Sequence, residues 1–396
     1  MKIGLVVGEF PKLSETFVLQ QITGLIDLGH DVTVFALRNT GESVQHRAVT
    51  EYRLRERARY LEVRGWRDVL RGFRRGARAV LAHPSALRYP TALKQRVVHG
   101  AQGRFDVLYC HFGHVAEHAR QLREVGLFSG PLVAVFHGYD VTVWPSEVKG
   151  DALAPLFRDA ALLLPISRFW RDKLLQMGAD PGKVEVRRMG VDTRALQFRP
   201  RSWESTQPVQ LVSVGRLVEK KGIAFAVRAV ARAQRMLDCE IHYHIVGDGP
   251  LREQLAGVAR AEGIAKQVTF HGARRSDEVA ALLEPMHILL APSVTAENGD
   301  MEGIPVVLME AMAQGLPVLS TEHSGIPELI QHGHSGYLVT ERDADALAEA
   351  LVSMVRNPAE WLRLTTNARS TIETEFDTQR LTRELAERFS KLSVAR

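Results

Sequence analysis

The sequence predicts an α/β protein made of two doubly wound halves. Three observations carry this. Short apolar runs alternate with helical patterns along most of the chain. The alternation stops at a polar, proline-containing stretch, residues 199–208, and restarts beyond it. The composition, 45% hydrophobic and 24% charged over 396 residues, suits a folded chain of two or three domains.

The elements follow in order. Residues 2–8 form a short apolar run ending at Gly8, residues 14–28 have a helical pattern, and 31–37 form a second apolar run. That is strand, helix, strand, the opening of a parallel sheet. Further strands are expected at 107–110, 132–136, 162–166 and 184–186. Beyond the polar stretch the spacing predicts strand 209–214, helix 223–236, strand 241–246, helix 251–262, strand 268–271, helix 277–284 and strand 288–291. Leu381, Leu385, Phe389 and Leu392 recur at helical spacing near the end. The expected domains are 1–200 and 201–376, with 377–396 an amphipathic helix. Two alternating halves of similar size suggest two Rossmann-like domains with a cleft between them.

Several classes are excluded. The composition is not that of a disordered chain, a collagen or a coiled coil. No window holds about 18 uninterrupted apolar residues, so no membrane-spanning helix is expected. The N-terminal run lacks the small-residue cleavage site of a signal peptide. Cys110 and Cys239 are far apart and fall in no CxxC. They read as free thiols in a reducing compartment, and a cytoplasmic location is expected.

The charge is uneven. Net charge is +5, yet residues 47–104 hold 15 Lys and Arg against 4 Asp and Glu. Apolar residues there recur near helical spacing, with Arg71, Arg74, Arg75 and Arg78 among the arginines between them. The stretch reads either as basic amphipathic helices docking on an anionic membrane or as a solvated helical face. Nucleic acid is not expected, because there are few aromatics to stack bases and no recognition motif.

The chemistry-bearing residues cluster in the second half. Gly215, Arg216, Lys221 and Gly222 lie at a strand-to-helix turn. Glycines permit close backbone approach, a helix start favours anions and the cations supply charge, as a diphosphate requires. An ordinary basic turn is the alternative. Gly247-Asp248-Gly249-Pro250 follows another strand, but Arg252 stands where a third glycine would complete a dinucleotide fingerprint. Glu302-Gly303-Ile304-Pro305 precedes a helical run containing Glu310, and Gly315 suits its C-terminal end. Carboxylates can accept hydrogen bonds from vicinal hydroxyls, so Glu302 and Glu310 suit a polyhydroxylated ligand. The Gly303 and Ile304 N–H groups can face an anion. A helix-dipole acid and an ordinary surface glutamate are the alternative.

Taken together, these residues resemble a known family. Glu302 and Glu310 with seven residues between, Gly315-Leu316-Pro317-Val318, Ser324-Gly325-Ile326-Pro327-Glu328, the two glycine turns and Pro292-Ser293 resemble the family 4 retaining glycosyltransferases. The match is dense from Val209 to about Val339. Residues 10–17, including Ser14, Glu15 and Thr16, the run Phe136-His137-Gly138-Tyr139-Asp140, and Asn298-Gly299-Asp300-Met301 resemble the colanic-acid and amylovoran type of exopolysaccharide transferase. The first turn has Gly8 alone and departs from the glycine-rich form.

The resemblance implies a GT-B fold, with the final helix crossing back to the first domain. It implies a hexosyltransferase using a nucleoside-diphosphate sugar, UDP or GDP, without metal or other cofactor. Arg216 and Lys221 would bind the diphosphate, with Gly8 close to the phosphates. Glu310 would bind the ribose diol. Glu302 with the Gly303 and Ile304 amides would bind the transferred sugar, and His137 would sit near it. Ser14, Glu15, Thr16 and His111 are the acceptor-side candidates. The acceptor would be a saccharide or lipid-linked oligosaccharide at the inner face of the cytoplasmic membrane. A nucleotide-sugar epimerase and a non-catalytic sugar-nucleotide binder of the same fold are the rivals. His114-Val115-Ala116-Glu117-His118 matches a bare zinc pattern that lacks a third ligand, and Asp343-Ala344-Asp345 reads as helix capping, so no metal is expected.

Overall fold

The computed structural model describes residues 1–12, 15–41, 46–63, 81–148 and 151–394. The chain divides into two compact units. The first comprises 1–166, 170–187 and 379–396, and the second 167–169 and 188–378. The chain therefore passes into the second unit before residues 199–208. That stretch is tied to the second unit: Arg199 N–H donates to Gln314 O (3.1 Å) and Arg201 N–H to Gly315 O (3.2 Å).

The first unit contains β1 (Lys2–Phe10), β2 (Asp31–Asn39), β3 (Ala58–Tyr60), β4 (Gly103–Arg104), β5 (Val107–His111), β6 (Phe128–Ser129), β7 (Leu132–Phe136) and β8 (Leu162–Pro165). Six of them form a parallel sheet in the order β3-β2-β1-β5-β7-β8, and β4 pairs with β6 apart from it. The residues of β5, β7 and β8 are all buried, which explains their continuous apolar sequences. β1 runs to Phe10, so Gly8 lies inside a strand and not at a turn. The expected strand at 184–186 is a single bridge from Val184 to Leu163. Helix Thr378–Val394 closes this unit: the Phe389 ring meets Tyr109 edge-on at 5.1 Å, and Arg388 Nε and the Glu185 carboxylate lie 2.8 Å apart.

The second unit contains β9 (Val209–Val214), β10 (Ile241–Val246), β11 (Val268–Gly272), β12 (Ile288–Ala291), β13 (Val318–Thr321) and β14 (Tyr337–Val339). They form a second parallel sheet, β11-β10-β9-β12-β13-β14. Strand order reverses direction between β1 and β5 in one sheet and between β9 and β12 in the other. Ligands of such sheets bind beyond the carboxyl ends of the strands at that reversal. Helix Ile223–Met236 buries Ile223, Ala226, Val227, Val230 and Ala233 against its sheet, one stripe at helical spacing. Asp343 caps helix Ala344–Arg356 by accepting from Asp345 N–H (3.0 Å) and Ala346 N–H (2.9 Å), a contact worth about 1 kcal/mol. Among the described residues no helix is long and apolar enough to cross a membrane.

Candidate active site

In the second unit the chain leaves β9 through Gly215 (φ +154°) and enters helix Ile223–Met236 through Gly222 (φ +65°). A Cβ at Gly222 would overlap the Pro292 carbonyl oxygen, and one at Gly247 would overlap that of Gly215. Glycine is required at both because backbone meets backbone. Leu217 N–H donates to Asp248 O (2.9 Å), so the 247–250 turn buttresses the basic turn. Arg216 is exposed, and its guanidinium has no partner among the described residues.

Lys221 is held differently. Its Nζ lies 3.0 Å from Glu302 Oε2, while Lys220 Nζ lies 3.7 Å from Glu302 Oε1 and 3.1 Å from Asp300 Oδ2. Two residues expected to face different parts of a ligand thus neutralise each other. Glu302 is 8% exposed. Burial alone would raise its pKa, but Lys221 and Lys220 outweigh burial and hold it below the usual value.

Helix Val306–Ala313 begins directly after Pro305, and Gly315 follows its end at φ +77°. The N–H groups of Gly303 and Ile304 have no acceptor among the described residues. Glu310, further along this helix, is half-buried, and its carboxylate has no partner among the described residues. Burial pushes its pKa up to about 7. A desolvated carboxylate offers acceptors for hydroxyls, and the N–H groups of Gly303 and Ile304 and the Arg216 guanidinium offer donors for an anion.

Sequence reasoning missed the support beneath Glu302. His323, 1% exposed, accepts from the Glu302 N–H at Nε2 (3.1 Å) and meets Glu341 Oε2 through Nδ1 (2.7 Å). Glu341 also accepts from Thr295 N–H (2.8 Å) and Thr295 Oγ1–H (3.0 Å). The sequence signal for it is a histidine directly before the Ser324-Gly325-Ile326-Pro327-Glu328 run.

The first unit places His111, Phe112 and His137 at the carboxyl ends of β5 and β7. His137 is half-buried, with its Nε2 3.2 Å from His111 Nδ1. Burial first, then His111 and His114, pushes its pKa well down, so it is a neutral imidazole at neutral pH. The Asp140 carboxylate accepts from the N–H groups of Gly113 (2.6 Å), His137 (3.0 Å) and Gly138 (2.8 Å) and fixes the loop. His111 is completely buried and touches His137. Glu15 precedes helix Thr16–Asp27 and pairs with Lys12 (3.0 Å), and Thr16 is that helix's first residue. Ser14, Arg71, Arg74, Arg75 and Arg78 lie outside the described residues.

The zinc pattern dissolves into separate contacts. Arg120 donates to both Glu117 oxygens (2.9 Å each), and His118 meets Gln95 (2.7 Å). Among the described residues no three or more His, Cys, Asp or Glu side chains are grouped to hold a metal.

The family model "Glycosyl transferases group 1" matches residues 197–371, and "Glycosyltransferase Family 4" matches residues 14–195. The chain is 37% identical to the amylovoran biosynthesis glycosyltransferase AmsK of Erwinia amylovora, over 99% of this chain and all of that one. It is 38% identical to the putative colanic acid biosynthesis glycosyltransferase WcaL of Escherichia coli K12, over 98% of each. The Anabaena protein HepE, solved in complex with UDP and glucose, superimposes with a TM-score of 0.74 at 18% identity, over 99% of this chain and all of that one. The fold is GT-B.

Proposed function

The chain belongs to glycosyltransferase family 4, and we propose on that premise that it transfers a hexose from UDP or GDP to a saccharide acceptor, with retention of anomeric configuration. The observation that carries this is Glu310. A half-buried carboxylate without a protein partner is costly unless a ligand supplies donors, and a ribose diol supplies two. Arg216, without a partner among the described residues, supports the reading as a cation for the diphosphate. The Gly303 and Ile304 N–H groups suit an anion or a sugar hydroxyl.

The reaction breaks the bond between sugar C1 and the diphosphate oxygen, and negative charge develops on the leaving group. Arg216, Lys221 and the helix start stabilise that charge. The acceptor hydroxyl forms the new bond to C1 on the same face, and its proton passes to the departing diphosphate oxygen. No protein base is required. Glu302 faces the positive charge that develops on the sugar, and Lys221 exchanges Glu302 for phosphate as the donor enters. His137, neutral, serves as a hydrogen-bond partner for a sugar hydroxyl and not as an acid. Glu15, Thr16 and Ser14 are assigned to the acceptor, and Gly8 to the phosphates.

The amylovoran and colanic acid relatives support an exopolysaccharide acceptor, and the basic excess of 47–104 supports a lipid-linked one met at an anionic cytoplasmic membrane surface. The test is transfer with EDTA present, from UDP- or GDP-hexoses to extracted lipid-linked saccharides. Release of nucleoside diphosphate and a product anomeric NMR signal of the donor's configuration are expected. An inverted product would overturn retention, and a strict metal requirement would overturn the metal-free reading.

A further inference from the structure

We propose that His323 is a positioning residue for the donor site: a neutral Nδ1–H imidazole whose bare Nε2 holds the Glu302 backbone, with Glu341 fixing that tautomer. The proposal rests on the donor-site reading of Glu302–Ile304 and adds the element that aims it.

The hydrogen-bond polarity leaves one arrangement. A backbone N–H only donates, so Nε2 of His323, 3.1 Å from the Glu302 nitrogen, must carry a lone pair. Nδ1 lies 2.7 Å from a Glu341 oxygen, which accepts, so the proton sits on Nδ1. Glu341 in turn is anchored by both donors of Thr295. The chain Thr295–Glu341–His323–Glu302 therefore runs from the loop after β12, through the second residue beyond β14 and the second residue beyond β13, to the loop that starts the Glu310 helix. It fixes the residue immediately before the free Gly303 and Ile304 N–H groups. Ordered outer partners of this kind set the geometry of the groups that meet the ligand. Gly325 has no room for a Cβ, which would lie 2.9 Å from an Ile304 side-chain carbon, so the 323–325 segment and the Glu302–Ile304 loop are in close contact.

The same geometry makes the site acid-sensitive. The charged groups facing His323 are Glu341, Glu302 and Lys220. Burial lowers its pKa, and the hydrogen bond and charge of Glu341, then Glu302, only partly restore it. Above that lowered pKa Nε2 accepts. Below it Nε2 carries a proton, two N–H groups point at each other and the Glu302 loop loses its anchor. The carboxylate of Glu310, titrating near 7, contributes its own separate step.

The experiment uses the full chain labelled at histidine with nitrogen-15, with His323→Gln and His323→Asn as variants. Gln sets an amide oxygen near the Nε2 position and can still accept from Glu302; Asn reaches only the Nδ1 position and leaves that N–H unpaired. At neutral pH the wild-type His323 signals are expected to show a protonated Nδ1 and a bare Nε2. UDP and GDP affinity by calorimetry is expected to be nearly retained in Gln and to fall about tenfold in Asn, the scale of one buried N–H left unpaired. The acid-side loss of affinity assigned to His323 is expected to vanish in Gln, while the Glu310 step remains. A bare Nδ1 with a protonated Nε2, or equal affinity for Gln and Asn in folded proteins, would overturn the proposal. Failure of the wild type to bind either nucleotide would instead overturn the donor-site reading, because the tautomer is read without ligand.

Discussion

Replacing Glu310 by Gln should make the protein more stable and a poorer binder at the same time. Folding raises this carboxyl from the ordinary 4.5 to about 7. A shift of one unit is worth about 1.4 kcal/mol, so the ionised side chain destabilises the fold by up to about 3 kcal/mol. The sign follows from the direction. The penalty is absent below the unfolded value, grows as pH rises from 4.5 to 7 and is complete above that. Gln fills the same space without charge. Urea denaturation at about pH 8 should show the variant up to ~3 kcal/mol more stable, with a much smaller difference at about pH 5. Calorimetry with UDP and GDP should show binding weakened by about 1–3 kcal/mol, the scale of charged hydrogen bonds to the ribose. Equal stability of the two proteins across this pH range would refute the desolvation argument. Unchanged nucleotide affinity would refute the ribose assignment.

Arg216→Ala removes an exposed cation that has no partner among the described residues, so it should weaken nucleotide diphosphate binding by about 1–3 kcal/mol while denaturation moves by less than ~0.5 kcal/mol. Gly222→Ala puts a Cβ into the Pro292 carbonyl at a left-handed position, and should cost more than ~1 kcal/mol of stability by urea denaturation. Glutamine at Arg71, Arg74, Arg75 and Arg78 should lower co-sedimentation with anionic vesicles and spare nucleotide affinity, and unchanged co-sedimentation would remove the membrane reading.

Legibility in the sequence followed the physics of each element. β9, β10 and β12 show as runs or alternations long enough to stand out, and the helix at 223–236 shows its stripe. β3 and β14 have three residues each, below the length at which a period can be counted. Helix Gly113–Glu124 was masked by a histidine-rich sequence that reads as a metal motif, although its buried Val115, Ala116, Ala119 and Leu122 carry the helical stripe. Glu302, Glu310, Arg216 and Lys221 were legible because turns and a helix start place them within short stretches of chain. Their pairing was not. Lys221 and Glu302 meet across 81 positions, and His323 and Glu341 across 18, distances that only the sheet order closes. The burial of His111 was equally hidden, since β5 could equally have ended before it.

The central claim is a nucleotide-sugar donor site that needs no metal. Saturation-transfer NMR of the whole protein with UDP- and GDP-hexoses in the presence of EDTA tests it most directly. The account predicts selective saturation of ribose and hexose protons for one of the two nucleotides, lost in Glu310→Gln and Arg216→Ala. A signal that vanishes with EDTA, or that survives both substitutions, would contradict it.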